Sequence, residues 1–416
     1  MSEEFRLGLD FARELDARDP LARFRERFDV RPDRIYLQAN GLGLASREAE
    51  AAVQGALAAW KERAHRGWEE GERPWLTTAE RLGALEAPLV GAAPDEVVAT
   101  GTTTYNIHVL MATFYQPSGR RTKVLADELN FPSDIFALQS QVRLRGLDPA
   151  QHLVLVKSRD GRMLEEDDVI AAMTDEVAVL MLPSAIYRSA QVLDVARLTR
   201  AAHERGILAG FDLAHSIGVT PHALDAWGVD FALWCGYKWL NGGPGAVGGI
   251  YVNRRHFGRA AGMTGWFGVA PEHQFDPDLV YHQAPTARAW SLSTPHVLSA
   301  AALEGALGVF HEAGIEAIRA KSLVQTRYLI FLADRLLLGR DSAWSLATPR
   351  EDQRRGGHVA LEHPEAARMR PHTLARGLHF GFKKPDTFRL APSPLYTTYA
   401  ELWQAMATLR ELTPAG

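Results

Sequence analysis

Phe211-Asp212-Leu213-Ala214-His215-Ser216 and Trp234-Cys235-Gly236-Tyr237-Lys238-Trp239-Leu240-Asn241-Gly242-Gly243-Pro244-Gly245 are the two stretches that decide how this chain is read. In the first, an apolar run ends in an acid. In the second, another apolar run leads into a lysine set among glycines. A lysine buried at a strand end is costly unless its charge is paired or its nitrogen is covalently engaged. A Schiff-base lysine meets that condition. An acid able to face a pyridinium nitrogen is the other half of a pyridoxal 5′-phosphate (PLP) site. Taken alone, Asp212 and Lys238 read as well as a strand-end acid and a surface lysine, so the surroundings must decide.

Moving outward, strands are expected at 96–100, 123–125, 152–157, 177–182, 207–212, 231–235 and 249–252. Helices are expected between them, from Gly101-Thr102-Thr103-Thr104 through Phe114, and at 132–145, 164–173 and 195–205. Such alternation predicts an α/β fold with a mostly parallel sheet wrapped by helices. Nearer the start, 1–30 has a charged, helical texture, 35–37 reads as a short strand, and 46–64 repeats its apolar residues at helical spacing. After Pro295 a long helix is expected, interrupted at Gly314 and resuming through Leu338. The segment 340–386 is rich in Arg, His and Gly and suggests no element. A strand at 387–390 and a helix near 399–412 close the chain. The division expected is 1–64, an N-terminal segment packing with the small domain; 65–294, the large PLP-binding domain; and 295–416, a linking helix and C-terminal small domain of α+β type.

With 416 residues, 46% of them hydrophobic and 23% charged, the chain is long enough to bury a large core. Its 46 basic residues against 50 acidic ones argue against a nucleic-acid binder. A single cysteine, Cys235, excludes a disulfide framework or cysteine-cluster metal site. No signal-peptide pattern and no apolar run near ~18 residues is seen, so neither membrane insertion nor export is expected and the cytoplasm is. The 15 histidines show no spacing such as His-Glu-x-x-His, and no catalytic metal is expected.

The lysine block, with Asp212-Leu-Ala-His-Ser and Ala226-Trp-Gly-Val-Asp-Phe-Ala, closely resembles the kynureninase family. Phe131-Pro-Ser-Asp134, Tyr187-Arg-Ser189, Gly265-Trp-Phe-Gly268, Ser293-Thr-Pro295 and Arg389-Leu-Ala-Pro-Ser-Pro-Leu-Tyr396 follow in the family's order, so that the resemblance runs from about 30 to 410. It implies a fold-type-I PLP enzyme, built on a seven-stranded-type sheet. The implied reaction is hydrolysis of L-kynurenine to anthranilate and L-alanine, in tryptophan catabolism and the kynurenine route to NAD.

The resemblance also implies roles. Lys238 carries the cofactor as a Schiff base, Asp212 pairs with its ring nitrogen, and Tyr237 contacts the cofactor and donates a proton during carbon–carbon cleavage. Thr103 and Thr104 hold the phosphate. From the residues themselves, a threonine-rich helix start offers N–H groups, hydroxyls and a positive dipole end to an anion, though such starts are often only caps. Phe131 stacks on the ring, and Ser133, Asp134 and His215 contact the cofactor. Arg389 grips the substrate α-carboxylate through its bidentate fork, while Trp68 and Asn40 line the substrate pocket. Trp266 and Thr294 match cofactor contacts that the family contributes from a neighbouring subunit, which implies a homodimer.

Two motifs depart from the family: Asn40-Gly41-Leu-Gly stands where Asn-Ser-Leu-Gly is usual, and Tyr187-Arg-Ser-Ala190 where Tyr-Arg-Thr-Gly is usual. They put substrate identity in question, whether L-kynurenine, 3-hydroxykynurenine or another analogue. The rival readings are another PLP-dependent β-lyase, a cysteine desulfurase or an aminotransferase on the same fold, or a catalytically inert PLP-fold protein. Retention of both Asp212 and Lys238 speaks against the last.

Overall fold

The computed structural model describes residues 4–277, 279–339 and 342–414. Its strands, in chain order, are β1 (Ile35–Leu37), β2 (Val97–Ala99), β3 (Lys123–Asp127), β4 (Leu153–Val156), β5 (Val177–Pro183), β6 (Leu208–Asp212), β7 (Phe231–Trp234), β8 (Gly249–Val252), β9 (Ser345–Leu346), β10 (Val359–Glu362), β11 (Leu378–Lys383) and β12 (Thr387–Leu390). Seven of them form one sheet in the order β2-β8-β7-β6-β5-β3-β4. β4, β3, β5, β6 and β7 run parallel, and β8 alone runs against its neighbours. Strands covered on both faces read as continuous apolar runs, which is why β5, β6 and β7 stand out in the sequence. β2 runs in the same direction as β7, since both pair antiparallel with β8. The carboxyl ends of β2, β3, β5, β6 and β7 therefore share one edge, where ligands settle in open α/β sheets.

The second sheet, β1-β11-β12-β10-β9, is antiparallel except where β1 lies parallel to β11. Its core draws Phe11, Ala12, Leu15 and Leu37 from the N-terminal segment and packs them with Tyr328, Leu332, Phe388, Leu402 and Met406. Helix Val297–Ala313 lies on helix Arg47–Arg63 and sends Leu303, Leu307 and Phe310 into the large sheet's core. Helix Ile315–Leu336 follows Gly314 as expected.

Several elements escape the sequence reading. β9, β10 and β11 fall in the stretch where no element was expected. Helices Thr78–Val90 and Ala366–Ala375 each contain a proline, Pro88 and Pro371. Proline removes a backbone donor and argues against helix interiors; packing holds both helices regardless. At Ala190 the backbone takes φ 63°, a left-handed conformation that favours glycine. That accounts for the glycine usual in the Tyr-Arg-Thr-Gly pattern. Here the turn is kept by Ala190 N donating to Ile186 O at 2.9 Å and Gly356 N donating to Ala190 O at 2.7 Å.

Candidate active site

The site grows from the loops that leave the shared sheet edge. Asp212 is the last residue of β6, and two residues on its Oδ1 accepts the Ala214 N–H at 2.7 Å. β7 ends at Trp234, and the following turn carries Tyr237 and Lys238. That turn is clamped by the 40–43 turn, since Gly43 N donates to Tyr237 O at 2.9 Å. A Cβ at Gly43 would fall 2.6 Å from Lys238 O and 2.1 Å from Asn241 Oδ1, so only glycine allows this approach.

Lys238 Nζ lies 3.1 Å from His215 Nε2. Burial, reinforced by the charge of Lys238, holds the His215 imidazole well below its ordinary pKa. It is therefore neutral and can accept from the amine. Asp134, from the helix after β3, lies beside Asp212. Burial lifts both carboxyls above their ordinary range; the neighbouring Asp212 charge pushes Asp134 further, while Lys238 draws Asp212 back down. Tyr237, half-buried, is pushed up by burial and by the adjacent Cys235. Its ring centroid lies 5.8 Å from Lys238 Nζ.

Thr104 Oγ1 and Ser133 Oγ are 2.6 Å apart. This joins the first turns of helices Thr103–Phe114 and Pro132–Leu144, so two positive helix ends and two hydroxyls meet where an anion would rest. Thr103 opens the first of these helices.

Phe131 stands edge-on to Tyr187, with ring centroids 5.4 Å apart and planes at 86°. Tyr187 in turn ties the large sheet to Arg389. The guanidinium lies over its ring at 5.9 Å, and Nη1 donates to its carbonyl at 2.8 Å. Arg389 is 4% exposed, and burial pulls its pKa down to about 10. Directly opposite on β11 is Gly381, where a Cβ would come within 3.1 Å of Arg389 Nε. The residues before Asn40 join the strand that carries Arg389: Ala391 N donates to Leu37 O at 2.8 Å and Ala39 N to Ala391 O at 3.2 Å. The Asn40 side chain is fully buried.

Three expected residues fall outside this cluster within one chain. Trp68 packs edge-on against Trp75, ring centroids 5.5 Å apart, in a groove of about 370 Å³ that Trp60, Pro295 and Leu298 also line. Trp266 is half exposed, its indole donating to Gln274 O at 2.7 Å. Thr294 is exposed and lines a cleft of about 270 Å³ together with Gly101, Thr102 and Tyr105, beside the start of helix Thr103–Phe114.

The structure adds three residues to which the sequence reading gave no role. Tyr187 lay within a quoted motif. Lys383 Nζ sits 5.6 Å from the Tyr187 ring centroid and 5.8 Å from that of Phe131. Burial, Arg389 and Lys238 lower its pKa. His358, whose ring centroid is 6.5 Å from that of His215, is held neutral by burial, its pKa lowered to about 3. Both lie in the segment where no element was expected, and no spacing ties them to Lys238.

Family models agree with this geometry. One described as Aminotransferase class-V matches residues 35–363, and one described as Kynureninase C-terminal domain matches 318–409. The kynureninase of Geobacillus thermodenitrificans is 52% identical over 404 residues, spanning 97% of this chain and 94% of its own. That of Shouchella clausii is 48% identical over 401 residues, spanning 96% and 93%. The chain belongs to the kynureninase family. Like the rest of that family it is a PLP-dependent hydrolase. Its fold is that of fold-type-I PLP enzymes. A cystine C–S lyase in complex with cysteine persulfide superposes at TM-score 0.78 over 92% of this chain and 99% of its own, at 16% identity. The apo cysteine desulfurase of Thermococcus onnurineus superposes at 0.75 over 98% of each chain, at 17% identity.

The residues of this kynureninase-family site fit PLP. Asp134 Oδ2, His215 Nδ1, Arg389 Nε and both amide atoms of Asn40 are buried without a hydrogen-bond partner in the protein. Buried polar atoms are rarely left so. The adjoining carboxyls of Asp134 and Asp212 need a proton or cation between them and the ligand, which a protonated pyridine nitrogen supplies. The desulfurase reading loses ground here: Cys235 is 2% exposed, and burial pushes its thiol up, whereas a sulfur-transferring cysteine must be mobile and ionised.

Proposed function

We propose that this chain hydrolyses the Cβ–Cγ bond of L-kynurenine, giving anthranilate and L-alanine, with Lys238, Asp212 and Tyr237 as its catalytic residues. The observation that carries this reading is the meeting of Lys238, neutral His215 and the Asp212–Asp134 pair at one strand edge, facing Arg389 across Tyr187. PLP, when bound, supplies the electron sink that makes both the Cα proton and the Cβ–Cγ bond labile.

The chain's own residues do the rest. Lys238 Nζ would hold the cofactor and, when free, would move the proton at Cα. His215 Nε2 accepts from that nitrogen and fixes where it points. Asp212, with Asp134 behind it, holds the proton on the ring nitrogen; a fixed charge there opposes the negative charge that builds up during cleavage. Thr103, Thr104 and Ser133 hold the phosphate end, and Phe131 covers one face of the ring. Arg389 binds the α-carboxylate, which sets the scissile bond relative to Lys238. Water adds at the γ-carbonyl carbon, which departs as anthranilate's carboxylate while the bond pair passes to Cβ. Tyr237 Oη, kept protonated by burial, would deliver the proton that makes Cβ alanine's methyl group. Asn40 offers a two-sided amide to the substrate.

The assembly proposed is a homodimer in the cytoplasm, with no nucleic-acid or membrane partner. Trp266 and Thr294 reach the neighbour's site, Trp68 lines the substrate pocket, and the chain divides at 1–64, 65–294 and 295–416. Trp266, Phe275 and Leu298 are exposed at 47%, 64% and 42%, which favours a covered rim. No helix among the described residues is long and apolar enough to cross a membrane. The deciding experiment incubates PLP-loaded protein with L-kynurenine and measures anthranilate and alanine together. Equal amounts of both are expected. Kynurenine consumed without anthranilate, or pyridoxamine formed in step with turnover, would hand the site to a lyase or an aminotransferase.

A further inference from the structure

The segment 266–283 brings together three ligating side chains that the reaction does not use. His273 and His282 stack with ring centroids 4.1 Å apart and planes at 24°. His273 Nδ1 lies 2.7 Å from Asp276 Oδ2. One ligand atom from each of the three residues lies within 4.8 Å of the other two. Their spacing, His-x2-Asp-x5-His, is unlike a helical zinc motif, because the two histidines come from opposite arms of a loop.

Those arms are fixed at the backbone. Ala270 N donates to His282 O at 2.8 Å, and Ala284 N donates to Gly268 O at 2.9 Å. The turn between them is anchored by Gln274, which is 7% exposed. Its Oε1 accepts from Arg288 Nη2 at 2.8 Å, and its carbonyl accepts from the Trp266 indole at 2.7 Å. The histidines are thus brought together by paired backbone, and two of the three ligands belong to the turn that holds Trp266.

We propose that His273, Asp276 and His282 form a binding site for a divalent transition cation of the Zn²⁺ class, and that the ion ties the 273–276 turn, which holds Trp266, to His282. Two imidazoles and one carboxylate suit zinc and its neighbours; magnesium and calcium prefer oxygen. Ligands about 2.0–2.2 Å from a tetrahedral zinc stand roughly 3.4 Å apart. The loop needs only a small contraction, in which the His273–Asp276 hydrogen bond is exchanged for two bonds to the ion. Water completes the fourth position. The ion's role is positional: it fixes Gln274 and Phe275, and through them Trp266, whose ring stands edge-on to Phe275 at 5.8 Å. Any effect on cofactor binding rests on the dimer proposed above; the ion site itself does not.

The test uses untagged holoenzyme, stripped with chelator, desalted and equilibrated with Zn²⁺ alone. One ion per chain is expected, with Kd below about 10 μM. His273→Ala with His282→Ala should weaken binding about a hundredfold, and Asp276→Asn about tenfold. Cofactor absorbance should be unchanged in all of them, which shows that the variants are folded. With Zn²⁺ bound, amide exchange across 271–277 should slow about tenfold. Binding no tighter than ~1 mM, equal binding by the double variant, or unchanged exchange in this segment would each overturn the proposal. An active monomer in light scattering would sink the dimer and leave the ion site standing.

Discussion

The cluster around Lys238 and the rim formed by Trp68, Trp266 and Thr294 are built in opposite ways. In the cluster, side chains from five loops converge on one strand edge, and several are almost wholly buried: Asp212, Asp134, His215 and Arg389 are 7%, 1%, 8% and 4% exposed. Asp134 Oδ2, His215 Nδ1 and Arg389 Nε have no hydrogen-bond partner in the protein. On the rim, Trp266 is half exposed and held by Gln274, Thr294 is exposed, and Trp68 packs edge-on against Trp75. Buried, partly unsatisfied polar groups mark a site awaiting a small molecule. Exposed apolar surface marks one awaiting another protein surface. The chemistry is thus gathered on one strand edge, and in the proposed dimer the rim would be completed by the second chain.

The sharpest way to break that contrast is to remove the lysine. Lys238→Ala should lose at least roughly a thousandfold in kcat while still folding, because no other amine takes its place. Borohydride reduction of the parent protein, followed by peptide mapping, should put the cofactor on Lys238; a label on Lys383 would mean that the wrong amine has been assigned. Asp212→Asn should cost roughly a hundredfold or more, the scale on which a fixed charge opposes charge built up during reaction. Near-normal turnover of that variant would remove the acid from the mechanism.

The rim should respond more mildly, and in a way the cluster cannot. Trp266→Ala should lower activity about tenfold. Mixed with Lys238→Ala protein and reassociated, it should regain activity toward about a quarter of the parent value, since half the dimers then carry one intact shared site. No recovery in mixtures shown to exchange chains would place each site wholly within its own chain. The smallest effect concerns substrate choice. A tryptophan contributes area and a single donor, whereas sites that select for a hydroxyl aim polar groups at it. With Trp68 lining the ring pocket as proposed, kcat/KM should favour L-kynurenine over 3-hydroxykynurenine by a few-fold. Steady-state kinetics on both substrates would expose the opposite preference.

The large sheet could be read from the sequence because its central strands are covered on both faces and so appear as unbroken apolar runs that end in polar residues. The Lys238 turn could be read because its glycines, asparagine and lysine have no bland explanation as a group. β11 was hidden although Leu378-His379-Phe380-Gly381-Phe382-Lys383 does alternate. The glycine, which is there to clear Arg389, looks locally like a break. His358 and Lys383 could not be found in advance, because their nearness to Lys238 comes from one sheet docking against another and leaves no local pattern. Trp68, Trp266 and Thr294 were picked out only through family likeness, and nothing in the residues beside Trp266 and Thr294 speaks of a second chain.

Arg389 belongs to one sheet, and its hydrogen-bond acceptor, the Tyr187 carbonyl, hangs from the other. In the proposed role of Arg389, the substrate's anionic end would therefore be gripped by a joint rather than by a wall. Selection could retune affinity for the carboxylate by adjusting how the two sheets seat against each other, with every pocket residue left in place. On warming, such a joint should loosen before either sheet melts, so that KM climbs while the cofactor remains bound.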